Sequence, residues 1–320
     1  MIHREIRPEE AGRKLFRYLE ILLPGAPKSF LYKAIRMKKI RINGKHPKDE
    51  KMILDAGDQL FLFLTDDQLK DFGYTEMPAS VPDKADMDHF PKVPVVYEDD
   101  RLLIVNKPVG IATQKGKNDP VSLTEIMRQY LAEQNPQSSS SSYHPSFCHR
   151  LDKNTSGLLI MAKTLTSHQA LQQMLEKRQV KKYYLAVVQG IPEEWRQEKR
   201  LIHRYQKDQA KNQALLSPWK GEGTRCELKV RLIDSFDSQS LVKVDLVSGK
   251  SHQIRAQLAY EGFPIVGDGK YDERSHVFRQ QLVAYELFFE RPDEILSDLK
   301  GKHFYAAIPE TWKKQFTLKD

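Results

Sequence analysis

Only two cysteines occur in 320 residues, Cys148 and Cys226. They cannot build a disulfide framework, and neither sits in a Cys-x-x-Cys pair of the kind that binds zinc or does redox work. A reducing compartment is the natural reading. Long apolar runs are missing too. No run of aliphatic residues and methionine exceeds that from Leu158 to Ala162, far short of the ~20 residues that span a bilayer. The N-terminus, Met1-Ile2-His3-Arg4-Glu5, carries charges where a signal peptide has its apolar stretch. A cytoplasmic protein with no membrane contact is expected. Glycine and proline, 16 and 17, are too few for collagen or an elastic repeat. With 40% hydrophobic and 29% charged residues the chain is a folded one, and its length is about twice the usual ~150-residue domain.

From Lys28 to Lys48 acid is absent altogether, while eight basic residues stand there, among them Lys33, Arg36, Lys38 and Arg41. Much of the formal charge of +8 is concentrated in this stretch. Around it, Ala11, Leu15, Leu19 and Leu22 recur at helical spacing after Pro8-Glu9-Glu10. Ser29 can cap a second helix carrying Phe30, Leu31, Ala34 and Ile35. Strands follow at Ile40 to Ile42, stopped by Asn43-Gly44, and at Leu60 to Leu64. A single-signed run on a helix-helix-strand module of about 65 residues makes a cationic face fit to track a phosphate backbone. Residues 66–92 then turn acidic, with seven Asp or Glu, three prolines and no periodicity, which reads as a linker.

Beyond it strands outnumber crossover helices. Cys226, Leu228, Val230 and Leu232 alternate with Arg225, Glu227, Lys229 and Arg231, and a second run ends at Leu246, so the pair predicts an antiparallel hairpin. Short strands are expected at Leu158 to Ala162 and Tyr183 to Val188, helices at Leu165 to Lys177 and Ser251 to Ala259, with Ser251 as the N-cap, and a surface loop at the serine run Ser138 to Ser142. The fold class is α+β, with a large mixed, mainly antiparallel sheet in the second domain.

The segment richest in chemistry is Cys148-His149-Arg150-Leu151-Asp152-Lys153-Asn154-Thr155-Ser156-Gly157, a polar loop that runs straight into an apolar strand. Polar groups fixed at the mouth of a strand suit a rigid catalytic loop, and equally a hydrogen-bonded turn. A second segment, Ser248-Gly249-Lys250-Ser251-His252-Gln253-Ile254-Arg255, leads a strand through a glycine turn into a helix that places His252 and Arg255 on one face. Its Gly-Lys-Ser is not a phosphate loop, because the glycine that motif needs five residues earlier is Val244. Neither a metal at His144, Cys148 and His149 nor a Cys148-His149 nucleophile pair has a supporting spacing.

Together these segments resemble the RluA-type family of RNA pseudouridine synthases. His149 to Gly157 fits its His-Arg-Leu-Asp…Thr-Ser-Gly signature, and Gly249 to Arg255 its Gly-Lys-Ser-His-Gln-Ile-Arg stretch. Asn106 to Gly110 fits its Lys-Pro-x-Gly opening, Lys182 to Ala186 its basic-x-Tyr-x-Ala strand, and Gly262 to Asp268 its Gly-x-Pro-Ile-x-Gly-Asp. The basic module resembles the S4 RNA-binding domain. The resemblance implies an S4-like domain at 1–65, an acidic linker at 66–92 and a catalytic domain at 93–320. It further implies isomerisation of specific uridines in structured RNA, 23S ribosomal RNA by analogy, by base flipping, without cofactor or metal, in a monomer. Asp152 would be the catalytic carboxylate, Arg255 its ion-pair partner, Tyr184 the base-stacking tyrosine and Arg150 the residue filling the flipped base's place. A binder that recognises RNA without modifying it is the alternative from another class.

Overall fold

The computed structural model describes residues 2–6, 10–72, 74, 92–116, 121–134, 143–209, 213–272 and 279–317. Two bodies with separate apolar cores make up the chain. In the first, β1 (Ile2–Glu5), β2 (Ile40–Ile42) and β3 (Gln59–Leu62) form a three-stranded antiparallel sheet in the order β1-β3-β2. Helices α1 (Leu15–Leu22) and α2 (Lys28–Arg36) bury Leu15, Leu19, Leu22, Leu31 and Ala34 against Ile40, Ile42, Leu60 and Leu62. Each such leucine contributes about 1.5–3 kcal/mol by leaving water. The expected cap at Ser29 is corrected: Pro27 precedes the first turn and Ser29 lies inside it, because the fixed φ of proline, −58°, already aims the chain into a helix.

The expected linker also starts too early at 66. A short helix α3 (Asp66–Asp71) follows β3, and Leu69, Phe72 and Tyr74 pack against the first core. Three apolar side chains outweigh the acids around them. The Pro8-Glu9 helix start, residues 75–91 and the serine run lie outside the described residues.

In the second body eleven strands share one sheet. Its strands are β4 (Val95–Glu98), β5 (Leu102–Lys107), β6 (Ser146–Phe147), β7 (Ser156–Ala162), β8 (Val180–Gln189), β9 (Lys199–Asp208), β10 (Gln213–Ser217), β11 (Thr224–Phe236), β12 (Gln239–Leu246), β13 (Leu282–Phe289) and β14 (His303–Tyr305). The main path runs β10-β9-β11-β12-β8-β13-β7-β5-β4. Among the described residues only the β13–β7 pairing is parallel, so the sheet is mixed and mainly antiparallel, as expected. Both faces of its centre are covered. Leu103, Val105, Leu159 and Met161 face α4 (Leu123–Gln134) and α6 (Gln253–Tyr260), while Leu102, Ile104, Leu158 and Ile160 face α5 (Leu165–Glu176) and the C-terminal Trp312 and Phe316 on and beside α7 (Glu310–Gln315). Double coverage explains why these strands read as continuous apolar runs rather than alternating ones.

At the parallel crossing, Gly157 lies opposite Ala284 with φ +116°, and a Cβ there would stand 2.2 Å from the Ala284 carbonyl oxygen. No rotamer change relieves a clash with backbone. Gly157→Ala is expected to cost about 3 kcal/mol or more, read as a lowered midpoint in urea unfolding.

Candidate active site

The loop 149–155 enters β7 directly, and it is fixed from several sides. The Thr113 hydroxyl donates to the Leu151 carbonyl at 2.9 Å and accepts the Leu151 amide at 3.1 Å. Lys107, fully buried, spends its ammonium on the carbonyls of Pro108, Ile111 and Lys153 at 3.0, 2.9 and 3.1 Å. Burial pulls this lysine down to about 8, against the upward pull of Asp152. The Gly110 amide reaches the Lys153 carbonyl at 2.9 Å, and Gln280 donates to the Thr155 hydroxyl at 3.0 Å. Asp152, between the clamped Leu151 and Lys153, therefore keeps a fixed place. The family opening Lys-Pro-x-Gly has a physical function here: it supports the loop from below.

From the other side comes α6. The helix starts at His252 in the left-handed region, φ +55°, with no side-chain cap, so the expected Ser251 cap is corrected. Gln253 organises this turn instead. Its Oε1 accepts from the Ser248 hydroxyl and the Lys250 amide at 2.9 and 3.0 Å, and its Nε2 donates to the Glu227 carbonyl at 3.0 Å.

Arg255, one turn on, is nearly buried and holds two carboxylates. Its Nε and one terminal nitrogen grip Asp268 at 2.6 and 2.7 Å, and the other terminal nitrogen reaches Asp152 Oδ2 at 3.0 Å. Burial opposes the guanidinium charge, but the bonds and charge of Asp268, then Asp152, hold its pKa above the ordinary arginine value. Tyr271 lies under it, 5.2 Å from ring centre to Cζ. His252 Nε2 stands 3.7 Å from Asp152 Oδ2, and burial lowers this histidine's pKa, so it faces Asp152 as a neutral ring at pH 7. Asp152 Oδ1 has no hydrogen bond among the described residues, which leaves one carboxylate oxygen open to the cavity.

That cavity, of about 930 Å³, is lined by Asp152, Tyr184 and Arg255 together, a size usual for small-ligand sites. Tyr184 is 5% exposed, sits in the core beneath the site, and its pKa is raised by burial and then by the Asp152 charge. Tyr183 points to the opposite face, under the Lys243 ammonium, as strand alternation requires. Arg150 lines the mouth and is exposed. Lys33, Arg36, Lys38 and Arg41 are also exposed, but on the first body and away from this cavity, with Arg41 5.1 Å over the exposed Phe63 ring. Asp268, Thr113 and Lys107 carry no weight in a reading by residue type; the Gly-Asp and Lys-Pro motifs were the only signals for two of them. Among the described residues no three His, Cys, Asp or Glu side chains gather as metal ligands. Burial pushes the Cys148 thiol up to about 12, so it stays protonated.

Residues 101–260 match the family described as RNA pseudouridylate synthase. Ribosomal large subunit pseudouridine synthase C of Vibrio cholerae is 30% identical over 286 residues, covering 89% of this chain and 85% of that one. The chain belongs to the RNA pseudouridylate synthase family. The synthase of the same name from Escherichia coli K12 is 28% identical over 286 residues, covering 87% and 81%. In structure, human RNA Pseudouridylate Synthase Domain Containing 4 shares the fold with a TM-score of 0.57 at 18% identity, over 71% of this chain and 94% of that one. The protein is thus an RNA pseudouridine synthase, and the carboxylate, arginine and tyrosine that meet in its cavity are the residues the RluA-type motifs point to.

Proposed function

We propose that this synthase isomerises specific uridines of 23S ribosomal RNA, with Asp152 as the catalytic carboxylate. The observation that carries the reading is the 3.0 Å contact of Arg255 with Asp152 inside a cavity floored by Tyr184. The reaction breaks the C1′–N1 bond of uridine, turns the base, and joins C5 to C1′, with the C5 hydrogen leaving as a proton and N1 gaining one. Its product has the same atoms as its substrate, so no reductant, oxidant or transferred group is required, and a cofactor-free monomer can perform it. The target base is out of reach inside a stack and must be flipped into the cavity. Tyr184 stacks on it, and Arg150 at the mouth fills the vacated place. Curated relatives named for the ribosomal large subunit support the substrate class.

The first body serves as an S4-like RNA-binding domain, expected at 1–65 and continued by the packing of Leu69, Phe72 and Tyr74, with the catalytic domain at 93–320; separate cores support two domains. No described helix is long and apolar enough to cross a membrane. Incubating the purified chain with unmodified large-subunit RNA and mapping pseudouridines tests the reading: new pseudouridine at defined positions supports it, and none at any position refutes it.

Neutralising Lys33, Arg36, Lys38 and Arg41 is expected to weaken RNA binding at low salt. Each lost phosphate contact should flatten the log-log salt slope by up to ~0.7 for single strands. Turnover at saturating RNA should persist, since these residues lie outside the cavity. An unchanged slope in filter binding would remove the targeting role.

A further inference from the structure

Strand β8 puts a second functional side chain on the Tyr184 face. Positions i and i+2 of a strand project together about 7 Å apart, so Lys182 stands beside the tyrosine in the cavity wall. Its side chain is half-buried there, with the ammonium 4.0 Å from where a Cβ on Gly249 would be. Among the described residues no carboxylate, carbonyl or hydroxyl accepts a hydrogen bond from it. Burial, and then the nearby Arg178, push its pKa below the ordinary lysine value.

A second donor is stranded nearby. His149 Nε2 accepts the Ile160 amide at 3.2 Å, so the neutral ring carries its proton on Nδ1. That Nδ1 is buried without a partner, and Lys182 is the charge that acts on the ring. Unpaired buried donors cost free energy, and an unpaired ammonium costs more. Two of them in one cavity call for an acceptor that arrives from outside. Cations suited to backbone phosphates, Arg150, Lys250 and Lys270, are exposed at the mouth; Lys182 is the half-buried one, beside the ring on which the base would stack.

We propose that the Lys182 ammonium, with the His149 Nδ1–H, binds a carbonyl oxygen of the flipped uracil and stabilises the negative charge the base carries while detached. The inference rests on the function proposed above. When the C1′–N1 bond breaks, its electron pair leaves with the base and spreads over N1 and both carbonyl oxygens, and the electron-poor C1′ is compensated by Asp152. When C5 bonds to C1′, the base supplies the electron pair and its negative charge is gone; the C5 proton then leaves to solvent and N1 takes one up, which restores the conjugated ring. Lys182 and His149 exchange no atoms; they hold charge where it develops, as oxyanion donors do.

The test compares single-turnover rates of the full chain on one RNA carrying uridine or 5-fluorouridine at the target. Fluorine withdraws electrons, so its detached base needs the lysine less. Lys182→Met is expected to slow uridine conversion by ~10²–10³-fold, the range for loss of one such donor. Loss of 5-fluorouridine should slow by at least about tenfold less, with the RNA Kd within about threefold. Lys182→Arg, which keeps the charge, should fall between. The melting temperature of Lys182→Met should not drop, because the half-buried ammonium has no hydrogen-bond partner among the described residues to lose. Equal losses on both bases, or a weaker Kd in place of a slower rate, which would mark a phosphate contact, overturn the inference. So does a lower melting temperature, since it would reveal a structural ion pair. A wild-type chain inactive on every ribosomal RNA fails the underlying function instead.

Discussion

Asp152→Asn is expected to abolish pseudouridine formation, by ~10⁴-fold or more, while RNA affinity changes by less than about threefold. The substitution keeps the shape and removes the charge. The surroundings tolerate it: Arg255 retains both bonds to Asp268, Leu151 and Lys153 stay clamped by Thr113 and Lys107, and Asp152 itself is partly exposed. No unpaired buried charge is created, so the melting temperature should hold. A chain that binds RNA without modifying it would give no pseudouridine with either residue. The comparison of the two proteins therefore separates an enzyme from a binder, and a variant converting uridine at near the wild-type rate would remove Asp152 from the chemistry.

Much of this site was legible because its parts lie in short contiguous motifs. Asp152 and Arg255, 103 residues apart in sequence, meet at 3.0 Å as the resemblance implied. The basic-x-Tyr-x-Ala motif sets its tyrosine at Tyr184, strand alternation turns Tyr183 to the opposite face, and of the two Tyr184 lines the cavity. What escaped has physical reasons. Propensity nominated Ser29 and Ser251 as caps, but a proline entry and a buried glutamine network decided those helix starts. Acid content hid α3, whose Leu69 packs together with Phe72 just beyond it. β1 alternates half-buried Ile2 and Arg4 with exposed His3 and Glu5, a pattern too short and too polar to read as a strand. Residue type says that lysine is exposed, so neither the buried Lys107 nor the half-buried Lys182 stood out. Asp268 was visible as a motif member, but nothing in spacing tells that a carboxylate 13 residues past Arg255 folds back onto it.

That last contact yields the second large effect. Arg255→Met is expected to lower conversion by ~10³-fold or more, because Asp152 loses the group that orients it. Unlike Asp152→Asn, it should also destabilise the fold. Asp268 has no exposed side-chain surface, and removing the partner of a buried ion pair costs about 3–5 kcal/mol. Arg255→Lys should recover little, since one ammonium cannot grip Asp268 with two parallel bonds and still reach Asp152. The decisive variant pairs Arg255→Met with Asp268→Leu. Replacing a buried pair by apolar side chains is often neutral or stabilising, so urea unfolding should show most of the lost stability restored while pseudouridine formation remains absent. Recovered activity in the double variant would mean that Arg255 serves the fold alone. Restored stability without activity places it where the geometry does, as the link that carries the rigidity of Asp268 to the Asp152 carboxylate.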